Sequence, residues 1–246
     1  MSTKQERLAE LAKQSPQGGV ASPLLSNVFL HYVLDLWFEH DVKPRLRQRA
    51  FLIRYADEVV IGFRDQRDAQ RVLEVLPKRF GKYGLSLHPT KTKRVPFCPP
   101  SERTKSQSGS GVGRPGTFNL LGFTHYWGRS LRGYGVIKLK TAADRFSRAV
   151  RSIDSWCRDN RHHSLREQQQ KLNEKLRGHY AYYGVTGNSG ALSRFLWEVQ
   201  RRWRKWLYRR SRTRSMNWTR FRRLLQRYPL AGVRTVRSAY RQAANP

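Results

Sequence analysis

Acidic side chains are scarce in this chain. Seventeen Asp and Glu stand against 49 Lys and Arg, a formal net charge of +32 over 246 residues. An excess of that size excludes a neutral enzyme surface. It calls for a polyanionic partner, nucleic acid ahead of an anionic membrane. Long apolar runs are also missing, and the N-terminus is not signal-like, so no membrane association is expected. Cysteine is limited to Cys98 and Cys157, in neither CxxC nor Cys/His spacing. That excludes a zinc motif and a disulfide framework, and predicts free thiols in a reducing, cytoplasmic setting. His162 and His163 sit in a polar stretch and read as a solvated turn, not a metal site. Core-forming residues are not lacking: 38% are hydrophobic, with seven Trp and eleven Phe, enough for one large domain or two small ones.

Among the few acids, two are adjacent. Arg54-Tyr55-Ala56-Asp57-Glu58 lies between the apolar runs Phe51-Leu52-Ile53 and Val59-Val60-Ile61-Gly62-Phe63. The pattern predicts a strand, a tight turn and a second strand, with Asp57 and Glu58 at the tip. Two neighbouring carboxylates suit Mg²⁺, a hard cation often shared with substrate phosphates. A polar β-turn accounts for the same residues, since Asp favours turns. The motif alone leaves both readings open.

Along the chain, residues 2–14 read as a short amphipathic helix. Turn-rich Ser15 to Val20 follows, and Ser22-Pro23 opens a helix over about 23–39 with Leu25, Val28, Phe29, Tyr32, Leu36 and Trp37 at helical spacing. Beyond the acidic hairpin, Asp65 caps a helix whose buried face is Ala69, Val72, Leu73, Leu76 and Phe80, with Pro77 as a bend and Gly81 and Gly84 at its end. Leu85 to His88 reads as a short strand. Residues 98–117, rich in Ser, Gly and Lys, read as a linker. A second hairpin is expected over 118–140, with Leu120 to Thr124 and Gly135 to Leu139 as its arms. From Thr141, a candidate cap, the period changes to 3.6. One helix buries Phe146, Ala149, Val150, Ile153 and Trp156. The next opens with a Ser164/Glu167 capping box and runs to Tyr183. Two more cover about 190–209 and 217–227.

The charge is concentrated in this helical part. Residues 1–140 carry 24 basic and 11 acidic side chains, and residues 141–246 carry 25 and 6. Between Arg201 and Arg227 there are twelve Lys or Arg and no acid, interleaved with Trp203, Trp206, Tyr208, Trp218 and Phe221. Arg pairs with phosphates bidentately and stacks on bases, so Arg201, Arg202, Arg204, Lys205, Arg209 and Arg210 are the expected RNA-binding set.

These blocks resemble the reverse transcriptase/maturase proteins encoded by group II introns. Gln14-Ser15-Pro16-Gln17-Gly18-Gly19-Val20 through Asn27 is similar to the family's loop-and-helix block behind the nucleotide. Arg54 to Glu58 resembles its catalytic hairpin, Gly84 to Thr92 the next palm block, and Leu120 to Phe123 its primer grip. Leu176-Arg177-Gly178-His179-Tyr180-Ala181-Tyr182-Tyr183 resembles its thumb and maturase region. The resemblance runs from about residue 14 to about residue 237.

It implies an α+β fold: a partial reverse-transcriptase palm, antiparallel sheet with helices, followed by an α-helical thumb/maturase domain. The expected segments are an N-terminal helix at 1–14, partial palm at 15–97, linker at 98–117, primer-grip-like hairpin at 118–140 and helical thumb at 141–240. The implied roles are catalysis and Mg²⁺ binding by Asp57 and Glu58. Gln17, Gly18, Gly19, Tyr55, Ala56 and Lys91 would lie near nucleotide or template, although Lys91 reads equally as a solvated lysine. Leu121, Gly122 and Phe123 would form the primer grip. The implied partners are intron RNA and a DNA primer.

Two departures bear on activity. The family's hairpin ends in two aspartates, and here the second acid is Glu58. The family's other metal-binding aspartate and its fingers lie upstream of the Pro-Gln-Gly-Gly loop, where this chain has only Glu6 and Glu10. The resemblance therefore implies half of a two-metal site and no polymerisation by this chain alone, unless a separate chain supplies the rest. The other readings are an RNA-binding splicing module without polymerisation and a degenerate fragment.

Overall fold

The structure, a computed structural model, describes residues 22–99, 116–130, 132–210 and 216–237. The helix expected at 2–14, the loop with Gln17, Gly18 and Gly19, and most of the 98–117 linker lie outside them. The fold is α+β, with small antiparallel sheets and long helices. It separates into two compact units, Met1–Pro96 and Phe97–Pro246.

In the first unit, helix α1 (Ser22–Leu30) continues through π turns at His31–Asp35 and Phe38–Val42 into a 3-10 turn, Lys43–Arg45. It is longer and more widely wound than the plain helix expected at 23–39. The buried side chains supply a reason. Phe29 and Leu34, Val33 and Phe38, and Trp37 and Val42 are pairs five residues apart, and all are in the core. A turn closed by i→i+5 bonds brings such pairs under one another.

Strands β1 (Ala50–Tyr55) and β2 (Glu58–Phe63) form a two-stranded antiparallel sheet with Tyr55 opposite Glu58. Leu52, Val59, Ile61 and Phe63 face the core under α1. Phe51, Ile53 and Tyr55 alternate with them and are exposed. The Phe51 ring lies over Gly62, where any Cβ would collide with it.

Asp65 caps α2 (Gln66–Gly81) by accepting from Arg67 N (2.6 Å). Buried Asp68 accepts from the Arg47 and Gln48 N–H groups at 2.8 and 3.2 Å, which pins the loop before β1. The helix runs on through Pro77. The strand expected at Leu85–His88 does not form. Among the described residues the chain there has no ladder partner, Leu85 N returns to Phe80 O (3.1 Å), and Leu85 and Leu87 pack on the core.

The second unit begins with a three-stranded antiparallel sheet, β3 (Phe118–Leu120), β4 (Phe123–Arg129) and β5 (Gly135–Thr141), in that order. The single hairpin expected here is thus a three-stranded meander. Leu121-Gly122, placed by the sequence reading within an arm, is a turn. Helices α3 (Ala143–Asp159), α4 (Leu165–Tyr183), α5 (Ser189–Tyr208) and α6 (Trp218–Arg227) follow. Val150, Ile153, Leu172, Leu176, Leu192, Phe195, Val199, Trp203 and Phe221 form one core. Thr141 does not cap α3, whose N-cap position is Ala142. Thr141 instead ends β5, held by Asn188. The Ser164/Glu167 capping box is present in both directions, at 3.2 and 3.3 Å.

The buried amide side chains Gln168, Asn173 and Asn188 are paired. Gln168 donates to Arg161 O and His163 O and accepts from Trp203 Nε1 (2.8 Å). Asn173 donates to Pro229 O and accepts from Ala231 N (2.6 Å), fastening residues 229–237 along α4. That segment ends against Gly184, whose carbonyl accepts from Val236 N (2.6 Å) and Arg237 N (3.0 Å). Among the described residues, no helix is long and apolar enough to cross a membrane.

Candidate functional site

The acidic hairpin turns in two residues, Ala56 and Asp57. Ala56 has φ 52°, a left-handed backbone that normally goes to glycine. Asp57 is exposed, and Glu58, the first residue of β2, is half-buried. Tyr55 is exposed beside them.

What fixes this tip is Arg54. Its guanidinium grips Asp35 on α1 with two bonds, Nε to Oδ1 at 2.8 Å and Nη2 to Oδ2 at 2.7 Å. Nη1 donates to Asn27 Oδ1 (2.9 Å) and to the carbonyl of Ala56 (3.1 Å). The bond with Asp35 raises the Arg54 pKa against a lowering by burial. One side chain therefore ties the strand, the turn and the helix together, with the fork geometry that Arg alone provides.

The π turn matters here. In a regular helix, Asn27 and Asp35, eight residues apart, would point roughly 80° from one another. The wider turn at His31–Asp35 takes up much of that rotation and lets both face Arg54.

The same side opens a cleft of about 250 Å³ lined by Asp35, Glu39, Leu52 and Arg54. Its acids are engaged, Asp35 by Arg54 and Glu39 by Lys43 at 2.6 Å. Among the described residues, no three His, Cys, Asp or Glu gather as a metal site. Asp57 and Glu58 offer the hard oxygen donors that Mg²⁺ takes when it shares substrate phosphates, so the pair fits one such ion in part. Lys91 is exposed in the turn after His88, its N–H on His88 O (3.2 Å), and no bond joins its ammonium to the hairpin tip. Gln17, Gly18 and Gly19 lie outside the described residues.

The Leu121-Gly122 turn of the second unit is built differently. Both residues have positive φ, 51° and 73°. Tyr182 Oη donates to Leu121 O (3.0 Å), and Gly122 O accepts from Ala142 N (2.9 Å). A Cβ on Gly122 would stand 3.1 Å from Tyr183 Oη, so glycine also serves a close approach. Phe123 stacks on Tyr182 and meets Tyr183 edge-on. Behind them His179 stacks on Phe195, centroids 3.9 Å apart, and burial pushes its pKa down to about 4. Asn188, fully buried, accepts from Thr141 N, donates to Thr141 Oγ1 and donates to Tyr183 O, each at 2.9 Å. The end of β5 and the end of α4 are thus locked together around the turn.

Of the cations expected to meet RNA, several hold the helices together. Asp154 on α3 accepts from Lys205 Nζ (3.2 Å) and Trp206 Nε1 (2.9 Å), with Arg202 at 3.9 Å. Burial works to raise the Asp154 pKa, but the bonds from Trp206 and Lys205 and the charges of Lys205 and Arg202 leave it below its ordinary value. Arg204 donates to Met216 O (3.0 Å) and lies 4.3 Å from the Trp218 ring. Arg210 donates to His163 O (3.2 Å), and Arg209 covers Trp206. Arg201 is about half exposed, 5.3 Å over Trp197. By contrast, Arg222 and Arg223 on α6 are exposed, and among the described residues no bond or ion pair engages them.

Sequence reasoning picked out the two acids at the first tip but not the residues that hold it. Arg54 was visible only as the motif's first letter. Its partners lie 19 and 27 residues away, at a spacing no local pattern reports. Tyr182 and Asn188 were missed in the same way, their partners lying 61 and 47 residues away.

Comparison with known families now meets this geometry. Residues 2–125, just over half of the chain, match the reverse transcriptase (RNA-dependent DNA polymerase) family, and residues 146–227 match the group II intron maturase-specific domain. The chain belongs to the reverse transcriptase family, and its maturase-specific domain makes it a reverse transcriptase/maturase of the group II intron kind. A comparison with curated proteins found no match.

Proposed function

We propose that this chain binds intron RNA through its maturase-specific helices and presents Asp57 and Glu58 as one part of a Mg²⁺-dependent nucleotidyl-transfer site. A further carboxylate, from a separate chain or segment that also brings the fingers, completes that site. The observation that carries this reading is the state of the acids around the hairpin. Asp57 is open, while Asp35, the nearby acid on α1, is held in the fork of Arg54.

Bound Mg²⁺ would neutralise charge on substrate phosphate oxygens. The protein's own part is placement. Arg54 keeps the two carboxylates on a tip tied to α1, because small displacements at a reacting centre are costly. Tyr55 and Ala56 offer ring and backbone beside the nucleotide, and Lys91 offers charge to its phosphates. Leu121, Gly122 and Phe123, buttressed by Tyr182 and Tyr183, face the DNA primer. RNA is held chiefly by outward cations such as Arg201, Arg222 and Arg223. The thiols of Cys98 and Cys157 are unpaired, which suits a cytoplasmic setting.

A primer-extension assay on the 246-residue polypeptide tests the catalytic half. It is expected to give no product with Mg²⁺ alone and to gain product when a finger-and-palm segment is added in trans. Robust Mg²⁺-dependent synthesis by the polypeptide alone, lost in Asp57→Ala, would overturn it. Salt titration tests the RNA half. Arg222→Ala with Arg223→Ala should lower the slope of log K against log salt by roughly one to two, and an unchanged slope would place the contact elsewhere.

A further inference from the structure

Three large rings of the helical part stay open to solvent beside arginines. Trp197 is 49% exposed and Tyr208 52%, both on α5, and Trp218 at the start of α6 is 39% exposed. The exposed ring of Tyr182 is accounted for by its bond to Leu121 O and its stack on Phe123. Trp218 meets buried Phe221 edge-on, centroids 5.9 Å apart, which seats that ring but leaves it 39% exposed, and Trp197 and Tyr208 have no ring partner among the described residues. Leu192, Phe195, Val199, Trp203 and Leu207 already supply the buried stripe of α5.

Spacing puts the open residues on one face. Trp197, Arg201, Arg204 and Tyr208 follow at steps of four, three and four, which is a helical stripe. Arg204 reaches across to α6, where its guanidinium lies 4.3 Å from the Trp218 ring. Arg201 lies 5.3 Å from the Trp197 ring. Each guanidinium sits against a ring and adds positive charge beside an open aromatic surface. The acid on this flank is Glu198, which pairs with Arg201 and Arg202, and no acid occurs from Arg201 to Arg227. Flat rings and positive charge in alternation match the bases and phosphates of a single strand. From Trp197 to Tyr208 the helix rises about 16 Å, the length of roughly five stacked nucleotides.

A duplex cannot use such rings. Its base faces are covered by its own stack, and it offers a surface only phosphates and groove edges. We infer that this face of α5, with Trp218 at its edge, is a stacking platform for unpaired RNA nucleotides. Trp197 and Trp218 contact the bases, Arg201 contributes charge, and Arg204 is a positioning residue that holds Trp218. The inference rests on the RNA-binding reading above and narrows it to loops and single strands.

The test compares two labelled RNAs by fluorescence anisotropy with the full chain: an unstructured oligoribonucleotide of about a dozen residues and a duplex of similar phosphate number. Trp197→Ala with Trp218→Ala should weaken single-strand binding roughly tenfold and change duplex binding less than about twofold. Its salt slope should match that of the parent, since no phosphate contact is lost. Trp197→Phe with Trp218→Phe should restore most of the loss. If the double variant melts early, Trp197→Ala alone, at an exposed position, gives the same comparison. Equal weakening with both RNAs, or none with either, would overturn the inference while leaving RNA binding in place. A change confined to self-association in sedimentation would also overturn it, marking the face as a contact between copies. Failure of the parent to bind either RNA would remove the RNA reading itself, and this platform with it.

Discussion

The hairpin tips at Ala56-Asp57 and Leu121-Gly122 share one backbone device and differ in everything that surrounds it. Both close in two residues, and both put a non-glycine residue at positive φ, 52° and 51°. The first is held by charge. One arginine reaches from its strand to a carboxylate and an amide on α1, and Asp57 at its tip is exposed. The second is held by aromatic packing and a buried amide, and it presents backbone. A tip that must offer carboxylates to a cation needs a wet surface and a remote anchor. A tip that offers a smooth backbone edge is fastened directly from behind.

The contrast can be broken by removing each anchor. Asn188→Ala should cost the second unit about 2–4 kcal/mol, because the Thr141 N–H and Tyr183 carbonyl lose a buried partner. Urea unfolding measures this, and a loss below about 1 kcal/mol would mean that water replaces the amide. Asp35→Ala should cost about 2 kcal/mol, less than a fully buried pair because both groups keep some solvent contact. Its signature is local. Amide exchange at Ala56, Asp57 and Glu58 should quicken while Leu121 and Gly122 stay as they were. Equal quickening at both tips would show that the anchors are not separate.

Acid sharpens the same comparison. His179, behind the second tip, is held neutral, with its pKa pushed from 6.5 to about 4. Unfolding lets it take up a proton, so the unfolded chain binds more protons between those values. Its contribution to stability is whole above pH 6.5 and declines as pH falls toward 4. His179→Phe should flatten that part of the profile of the second unit, and an unchanged profile would exclude His179 as its source. Below the ordinary 3.8 of a carboxyl, Asp154 adds a further loss, since its lowered pKa favours the folded state only while it is ionised.

The smallest effects lie in the turns themselves. Ala56→Gly should stabilise by up to about 1 kcal/mol as strain at positive φ is relieved. Leu121→Gly should come out near zero, since the same relief is offset by lost side-chain packing. A destabilised Ala56→Gly would mean that chain entropy outweighs the strain.

Much of this architecture could be read in advance where the signal is local. Period-2 runs around Asp57, the Asp65 cap, the Ser164/Glu167 box and the 3.6-residue stripes of α3 to α6 each depend on neighbours within a few residues. The turn at Leu121-Gly122 was misplaced because Leu-Leu-Gly-Phe reads as strand, and the contacts with Tyr182, Tyr183 and Ala142 that accompany positive φ there come from beyond the motif. Thr141 looked like a cap because Asn188, its real partner, is 47 residues away. Leu85 to His88 alternates like a strand but has no neighbour to pair with among the described residues. The acids of the candidate site were legible as a motif. Their anchoring was not, since the Arg54 fork depends on a widened helix turn that no composition rule announces.

That widened turn also governs how this stretch can change in length. His31 is half exposed and Tyr32 half-buried, so these two positions should accept substitution more readily than buried Val33 and Leu34. Deleting one residue between His31 and Asp35 should also be tolerated, since the helix would rewind to its regular pitch with Asn27 and Asp35 seven residues apart, roughly 20° from one another, and both would still face Arg54. Inserting one residue there is a different matter. It would swing Asp35 by roughly 100° around the helix axis, and Arg54 would lose one of its two acceptors on α1. A single added residue would here release the acidic hairpin from its support.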